Sequence, residues 1–323
     1  MKILFISPTF SGAGGIGPHA SRLAQKLGQE GHDVELMDVP HIPIKNLKNP
    51  SFSIFGTFKA LANSKTYDVV HAWNVPSAFI MKHIKAKKKI LSVHGVYSQQ
   101  VKMLHSKLTS NIVTSKENQV LDYADVLTTD SKTVQLEYKK KLGKNFEYIP
   151  APLDPKRFVD IPDMKKNLKQ VVYLGRDSFE KGIDILKKIE PNIDGNVKYC
   201  TSLEWHKAME VLKSSQILVL PSRIESVPQS ILEAFYLKIP VIATDVGGDK
   251  EMMLDGKTGF LVDEGNADQW IEKISFLLKN KNAAKEMGSA ARQLIIEKFN
   301  WDVLAKDFLA VVNPIIKDKT ITK

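Results

Sequence analysis

The sequence is poor in the residues that staple or anchor a chain. A single cysteine, Cys200, stands alone in 323 residues, which excludes an intramolecular disulfide and suits a reducing compartment. No run approaches the roughly 20 apolar residues that a membrane span needs. The apolar stretch behind Lys2, from Ile3 to Ile6, is shorter than the core of a secretion signal. These absences predict a soluble, cytoplasmic chain, peripheral at most to the inner face of a membrane. No Asp-x-Asp triplet occurs, so the sequence offers no ready carboxylate clamp for a metal-bound diphosphate and predicts no metal site. No zinc-finger, RRM or basic-zipper pattern is present, which argues against a nucleic-acid partner.

Apolar residues make up 43% and charged residues 25%, the balance of a globular protein long enough for two domains of about 150 residues. The net charge of +10 is unevenly spread. Residues 1–150 hold 20 Lys and Arg against 11 Asp and Glu, whereas residues 151–323 hold 26 against 25. The excess in the first half, with clusters at Lys85, Lys87–Lys89 and Lys139–Lys141, fits contact with something anionic, such as a phosphorylated acceptor or an acidic lipid surface. Scattered lysines that serve solubility explain the same count.

Short β-branched runs alternate with amphipathic stretches, the pattern of an α/β fold with parallel sheets covered on both faces. Strands are predicted at Lys2–Ser7, Asp33–Met37, Val69–Ala72, Lys89–Val93 and Val126–Thr129. A second series falls at Gln170–Leu174, Val197–Cys200, Gln216–Leu220, Pro240–Ala243 and Gly259–Val262, with helices between, such as His19–Gln29 and Ser230–Leu237. Two series imply two doubly wound domains, 1–152 and 168–298. The proline-rich residues 153–167 form a linker and 299–323 form terminal helices.

Open parallel sheets bind ligands at the carboxyl ends of their strands, so the residues that follow strands matter most. After the first strand, Gly12, Gly14 and Gly17 spell G-x-G-x-x-G, and Asp38 closes the second strand about 20 residues on. Pro8–Ser11 intervene between strand and first glycine, where a nicotinamide-binding fingerprint would place the glycine almost at once. The longer loop fits phosphate contact better than a dinucleotide turn, and a plain surface loop is the alternative. His94 follows the fourth strand and precedes Gly95, placed for a catalytic or a structural role.

In the second half, Arg176 ends a strand and Lys181 opens the next helix, setting two cations on one loop; a surface ion pair is the alternative. Glu225 and Glu233 lie eight residues apart beyond a very apolar strand. Carboxylates so placed can accept hydrogen bonds from sugar hydroxyls. Ser230-x-x-Glu233 also reads as a capping box, whereas Glu225 has no such local duty. Gly247-Gly248 follows another strand, with Glu251 behind it.

Taken in order, the glycine loop, His94-Gly95, Gly175-Arg176 with Lys181-Gly182, Glu225 with Glu233, and Gly247-Gly248 with Glu251 resemble the GT4 family of retaining glycosyltransferases. The resemblance covers nearly the whole chain and is tightest from Tyr173 to Val262. It implies a GT-B architecture, two facing Rossmann-like domains with a cleft between them, and a helix around Trp301 that crosses back to the first domain. It implies that Arg176 and Lys181 hold a donor diphosphate and that Glu225 binds the transferred sugar, helped by backbone groups of Ser226 and Val227. Glu233 would bind the donor ribose, Gly247 and Gly248 would approach the donor, Gly15 would meet the diphosphate from the other domain, and His94 would stand near the reacting carbon.

The chain departs from the family at residues 187–216, where relatives usually fit another strand, a Gly-x-Gly loop and a helix, so the loop near the donor base is expected to be shortened. Pro150-Ala151-Pro152-Leu153 also stands in place of the common Pro-Asn-Gly-Val. The expected reaction is metal-independent, cofactor-free transfer from a nucleoside diphosphate sugar, with retention, to an anionic lipid, phosphorylated molecule or glycan. A sugar-nucleotide epimerase and a silent sugar-nucleotide-binding protein are the alternatives. Residues 41–66, with Lys45, Lys48, Phe52, Ile54, Phe55, Phe58 and Lys59, mix apolar and basic side chains as an interfacial helix would. A helix packed on its own domain is the competing reading.

Overall fold

The computed structural model describes residues 1–10, 16–42, 44, 47–96, 117–299 and 301–318. The chain divides into two compact units, Met1–Ala151 with Asp302–Lys323, and Pro152–Trp301. Gly12, Gly14, Gly15 and Lys45 lie outside the described residues.

The first unit runs β1 (Lys2–Ile6), α1 (Ile16–Gln29), β2 (Asp33–Met37), α2 (Lys48–Leu61), β3 (Thr66–Ala72), α3 (Val75–Met81), β4 (Lys85–Ser92), β5 (Val126–Thr129), α4 (Lys132–Leu142) and β6 (Glu147–Tyr148). All pairings are parallel and the sheet order is β2-β1-β3-β4-β5-β6. Local chemistry explains the helix ends. Asn74 caps α3 by accepting from Ser77 N–H, and Ser131 caps α4 by accepting from Val134 N–H. Helix α4 stops at Gly143, whose φ of 65° closes the last turn. Helix α1 buries Ala20, Leu23, Ala24 and Leu27, three and four residues apart, against the sheet.

In the second unit, β7 (Asn167–Leu174), α5 (Ile183–Ile189), β8 (Asn196–Cys200), α6 (Trp205–Ser214), β9 (Ser215–Leu220) and α7 (Gln229–Tyr236) follow one another. Then come β10 (Val241–Thr244), α8 (Asp249–Met252), β11 (Gly259–Val262), α9 (Ala267–Lys279) and α10 (Lys281–Lys298). The sheet order is β11-β10-β9-β7-β8, again parallel. Alternate residues feed two cores. Val172, Leu174, Leu218, Leu220, Val241 and Ala243 pack on one face, while Val171, Tyr173, Ile217, Val219 and Ile242 pack on the other. Burial of both faces is why these strands read as continuous apolar runs rather than alternating ones.

All ten strands read from the sequence are present, within four residues at their ends, because runs buried on both faces are hard to mistake. The sequence reading passed over β6, two residues long and held by pairing with Thr128 and Thr129. The proline-rich stretch after Ala151 is built into the second unit. Leu153, Phe158 and Ile161 are buried in its core, and Leu153 N–H bonds to Phe299 O at 2.9 Å. The last helix, α11 (Trp301–Asp318), buries Leu304, Ala305 and Phe308 in the first unit. Among the described residues no helix is long and apolar enough to cross a membrane.

In both sheets the chain runs outward from the first strand and then returns across it, so neighbours part at β1/β3 and at β7/β9. At such a switch point the carboxyl ends leave room for a ligand.

Helix α10 lies close to the turn after α7, where a Cβ on Gly288 would stand 2.1 Å from Lys238 O. Lys238 itself sits at φ 59°, so its carbonyl has little freedom to withdraw. Gly288→Ala is expected to lower stability by about 1–3 kcal/mol through overpacking, read as a reduced denaturant midpoint at unchanged slope.

Candidate functional site

Four loops converge at the carboxyl edge of the second sheet: those after β7 and β9, which flank the switch point, and those after β10 and β11. The loop after β9, residues 221–228, is the centrepiece. Glycines clear a bed for it on both sides. A Cβ on Gly182, at φ 66°, would lie 1.8 Å from Pro221 O. One on Gly247, at φ 53°, would lie 1.7 Å from Glu225 O, and one on Gly248 would lie 1.5 Å from Ser226 O. Backbone thus rests directly on backbone, which only glycine permits. Gly247 and Gly248, read from the sequence as approaching the donor, lie here against the chain's own loop.

Arg223 pins the same loop. Its backbone N–H bonds to Glu180 O, and its guanidinium donates to both carboxylate oxygens of Asp184 at 2.8 and 2.7 Å and to Phe179 O. This two-pronged bond holds the Asp184 carboxyl below its usual range.

Lys181 and Glu225, read from the sequence as separate ligands, meet: Lys181 Nζ donates to Glu225 Oε1 at 2.5 Å, and Ser222 Oγ donates to the same oxygen at 2.8 Å. Ser226 and Val227 continue this loop over Gly248. Arg176 stands at the rim with its side chain 74% exposed, paired with Glu180 at 3.1 Å. Tyr173, on the strand below, donates its hydroxyl to Arg176 O at 2.8 Å, which braces the backbone beneath the guanidinium. Arg176 is therefore positioned at its backbone, with a head that can move.

Glu233 differs from the capping-box expectation. Helix α7 begins at Gln229 with Pro228 as its cap and no capping side chain. Glu233 instead accepts from Trp205 Nε1 at 2.7 Å and lies 3.5 Å from Arg157, whose guanidinium stacks on Trp205 at 3.8 Å. The tertiary partners outcompete the local cap because an indole N–H buried without an acceptor is costly. Strand β8 and helix α6 are both present, joined by residues 201–204, so the short stretch expected at 187–216 keeps its strand and helix and economises on the loop.

A residue passed over in the sequence is Asp249. It opens α8 directly behind Gly248, is 0% exposed, and neither carboxylate oxygen has a hydrogen-bond partner. Burial, and then the neighbouring Glu225, push its carboxyl well above the usual range, while Lys181 pulls the other way. The only sequence signal was an acidic residue beside a glycine pair, indistinguishable from a helix-opening residue.

His94 and Gly15 belong to the first unit, and Gly15 lies outside the described residues. His94 follows β4 and places Nδ1 2.9 Å from Asp130 Oδ2, beside β5. Trp73, His19 and His71 surround it. None of these four companions stood out in the sequence, since each is a lone residue on a different element.

Two doubly wound α/β units, one carrying paired cations and a carboxylate at its switch point, define the GT-B class. The sequence profile "Glycosyltransferase Family 4" matches residues 13–157 and "Glycosyl transferases group 1" matches residues 189–294. The chain belongs to this glycosyltransferase family. It is 22% identical to an uncharacterized glycosyltransferase of Methanocaldococcus jannaschii over 92% of this chain and 94% of that protein. Its fold resembles sucrose-phosphate synthase from Thermosynechococcus elongatus with a TM-score of 0.80, at 17% identity, over 98% and 99% of the two chains. It also resembles Anabaena HepE, solved with UDP and glucose, with a TM-score of 0.71, at 15% identity, over 97% and 100%.

The buried Asp249 carboxyl gives a stability test. The folded chain keeps a proton that the unfolded chain releases above about pH 3.9, so this group costs stability progressively as pH rises past that point. Asp249→Asn is expected to raise the melting midpoint at pH 7 by on the order of a few °C and to change it little near pH 3.5. A midpoint that moves equally at both pH values would contradict the assignment.

Proposed function

We propose that the chain transfers a sugar from a nucleoside diphosphate sugar to an acceptor hydroxyl, with retention and without a metal ion. The observation that carries this reading is the Lys181–Glu225 contact at the carboxyl edge of the second sheet, with Arg176 at its rim. Lys181 and Arg176 already face carboxylates, so a diphosphate replaces Glu225 and Glu180 as their partner rather than meeting bare cations. As the sugar–phosphate bond breaks, negative charge grows on the leaving diphosphate. Arg176, whose backbone Tyr173 braces, and Lys181, once parted from Glu225, can stabilise it. Glu225, released from Lys181, is then free to accept hydrogen bonds from the sugar hydroxyls. Two cations on one loop suit a sequence without an Asp-x-Asp clamp.

Glu233 keeps its place beside Trp205 and Arg157 and is the candidate for the donor ribose. Gly247 and Gly248 contribute by seating residues 225–226. HepE was solved with UDP and glucose, and a UDP-sugar is the first donor to test. Retention follows if the leaving diphosphate takes the acceptor proton on the face it departs from.

The acceptor is proposed to lie at an anionic membrane surface. Helix α2 buries Phe52, Gly56 and Ala60 against its own unit, so Phe52, read with the apolar set, turns inward. Ile54, Phe55, Phe58 (68%) and Leu61 (63%) are exposed, with Lys48 and Lys59 on the same helix. Apolar side chains flanked by lysines in the basic half of the chain match an acidic bilayer in both respects.

Glu225→Ala and Lys181→Ala are each expected to lower kcat/KM for donor turnover by about 10²–10³, while the melting midpoint shows the chain still folded. If both variants turn over donor normally, the assignment fails. Product analysis with donor alone should show no isomerised sugar. Vesicles containing acidic lipid should float the protein, and an Ile54→Ser, Phe58→Ser double variant should remain unbound. Salt-insensitive binding, or none, would dispose of the membrane reading.

A further inference from the structure

The candidate site occupies the carboxyl edge of the second sheet, and the amino edge of the same sheet holds a cavity of about 370 Å³. Lys166 stands just before β7, Gln216 is the second residue of β9, Pro240 just precedes β10, and α10 begins beside them at Lys281. Leu168, Leu237, Pro240 and Ala284 give the cavity an apolar wall. Gln216, 3% exposed, donates its side-chain amide to Leu277 O at 3.4 Å. Around that wall stand four lysines, Lys166, Lys238, Lys281 and Lys285, and no acidic residue lines the cavity. Past Leu237 and Lys238, which line both, a second recess of about 280 Å³ opens over Phe158, Val159 and Tyr236.

Each of these lysines is placed against local preference. Lys281 and Lys285 lie four apart on α10, where like charges repel. Lys281 is in the first turn, at the positive end of the helix dipole, and that turn carries no acidic residue. Asn280 precedes the helix but turns its side-chain amide to Phe276 O at 2.9 Å and does not cap the first-turn N–H groups. Lys166 is exposed along part of its length, yet withdrawal of its ammonium from water lowers it to about 8, with no carboxylate pulling the other way. Lys238 sits at φ 59° with its carbonyl against Gly288, which holds its backbone at the cavity. Carboxylates at this edge go elsewhere, Asp163 to Lys213 at 2.8 Å and Asp194 to Lys169 at 3.0 Å. Among the described residues, none of the four lysines has an acidic partner.

We propose that this cavity is an anion site, separate from the carboxyl-edge site, that holds the di- or triphosphate group of a small molecule among Lys166, Lys238, Lys281 and Lys285. Linked phosphates bring several negative charges in one compact group, which four ammonium point charges suit. Their oxygens also accept from uncapped N–H groups at a helix N-terminus. A bound phosphate chain screens Lys281 from Lys285, complements the dipole of α10 and favours the charged form of Lys166. A recess of this volume admits a small molecule, and the second recess gives the rest of that molecule an apolar seat. Occupancy of the cavity does not depend on sugar transfer at the opposite edge of the sheet.

Calorimetric titration of the full chain with tripolyphosphate and with ATP tests the site, without divalent metal and at about 0.15 M salt, where loose charge contacts are screened. An Arg176→Ala, Lys181→Ala variant lacks the cations of the carboxyl-edge site and should still bind one ligand per chain. Adding Lys281→Gln and Lys285→Gln should weaken that binding by about 10–100-fold. The Gln pair should leave the ligand-free melting midpoint no lower, since a like-charge pair and an adverse dipole contact are lost. Acylation at about pH 8 followed by peptide mapping localises the ligand. Lys166, lowered to about 8, should react ahead of lysines near their ordinary value of about 10.4. Either ligand should protect it together with Lys238, Lys281 and Lys285. Tighter binding of ATP marks a nucleotide, and equal or tighter binding of tripolyphosphate marks a bare phosphate chain; both uphold the site. No binding to the Arg176→Ala, Lys181→Ala variant, an affinity unmoved by the Gln pair, or protection that spares these four lysines overturns it.

Discussion

The close seating of residues 221–228 on Gly182, Gly247 and Gly248 is the constraint on which the arrangement at the edge of the second sheet depends. Three ideal Cβ positions at 1.5–1.8 Å from backbone carbonyls leave no side chain an option there. The contact sets the height of the loop over the sheet edge and so carries Glu225 to within 2.5 Å of Lys181. Arg223, anchored on Asp184, stops the loop from sliding sideways. Ser222 satisfies a second lone pair on the same Glu225 oxygen. A partly buried ion pair gains net stability only when such additional hydrogen bonds accompany it.

Behind this arrangement lies a cost. Asp249 places a second carboxyl near Glu225 in a fully buried position with no hydrogen bond of its own. Buried polar groups are nearly always satisfied, and an exception beside the 221–228 loop marks a place where packing alone does not explain the residue. The first unit shows the same habit in another form, with three histidines and a tryptophan packed together at a strand edge. In both units the polar burden is concentrated at the carboxyl ends of parallel strands, where the strands diverge and helices start.

Fold and site differed in how far they could be read from the sequence. The strands were legible because a parallel strand buried on both faces is a continuous apolar run, as in Gln216–Leu220, and the wound topology follows from their alternation with helices. Glu233 shows the limit of local reading. Ser230-x-x-Glu233 is a sound capping box by spacing, yet Trp205, 28 residues away, takes the carboxylate. Phe52 shows the same limit on α2, where composition grouped it with side chains that the helix turns outward.

What the sequence alone determined was the α/β class, the two sheets, the strand ends to examine, and the residues Arg176, Lys181, Glu225 and His94 as candidates. Local spacing and strand periodicity encode these within a few residues of chain. Only the tertiary structure decided partnership: that Lys181 grips Glu225, that Asp249 is sealed beneath them, that Asp130 faces His94. Each of those pairs joins different strand ends, 24 to 68 residues apart. Such contacts arise from sheet order and register, which gather distant strand ends along one edge and leave no mark in the spacing of the chain.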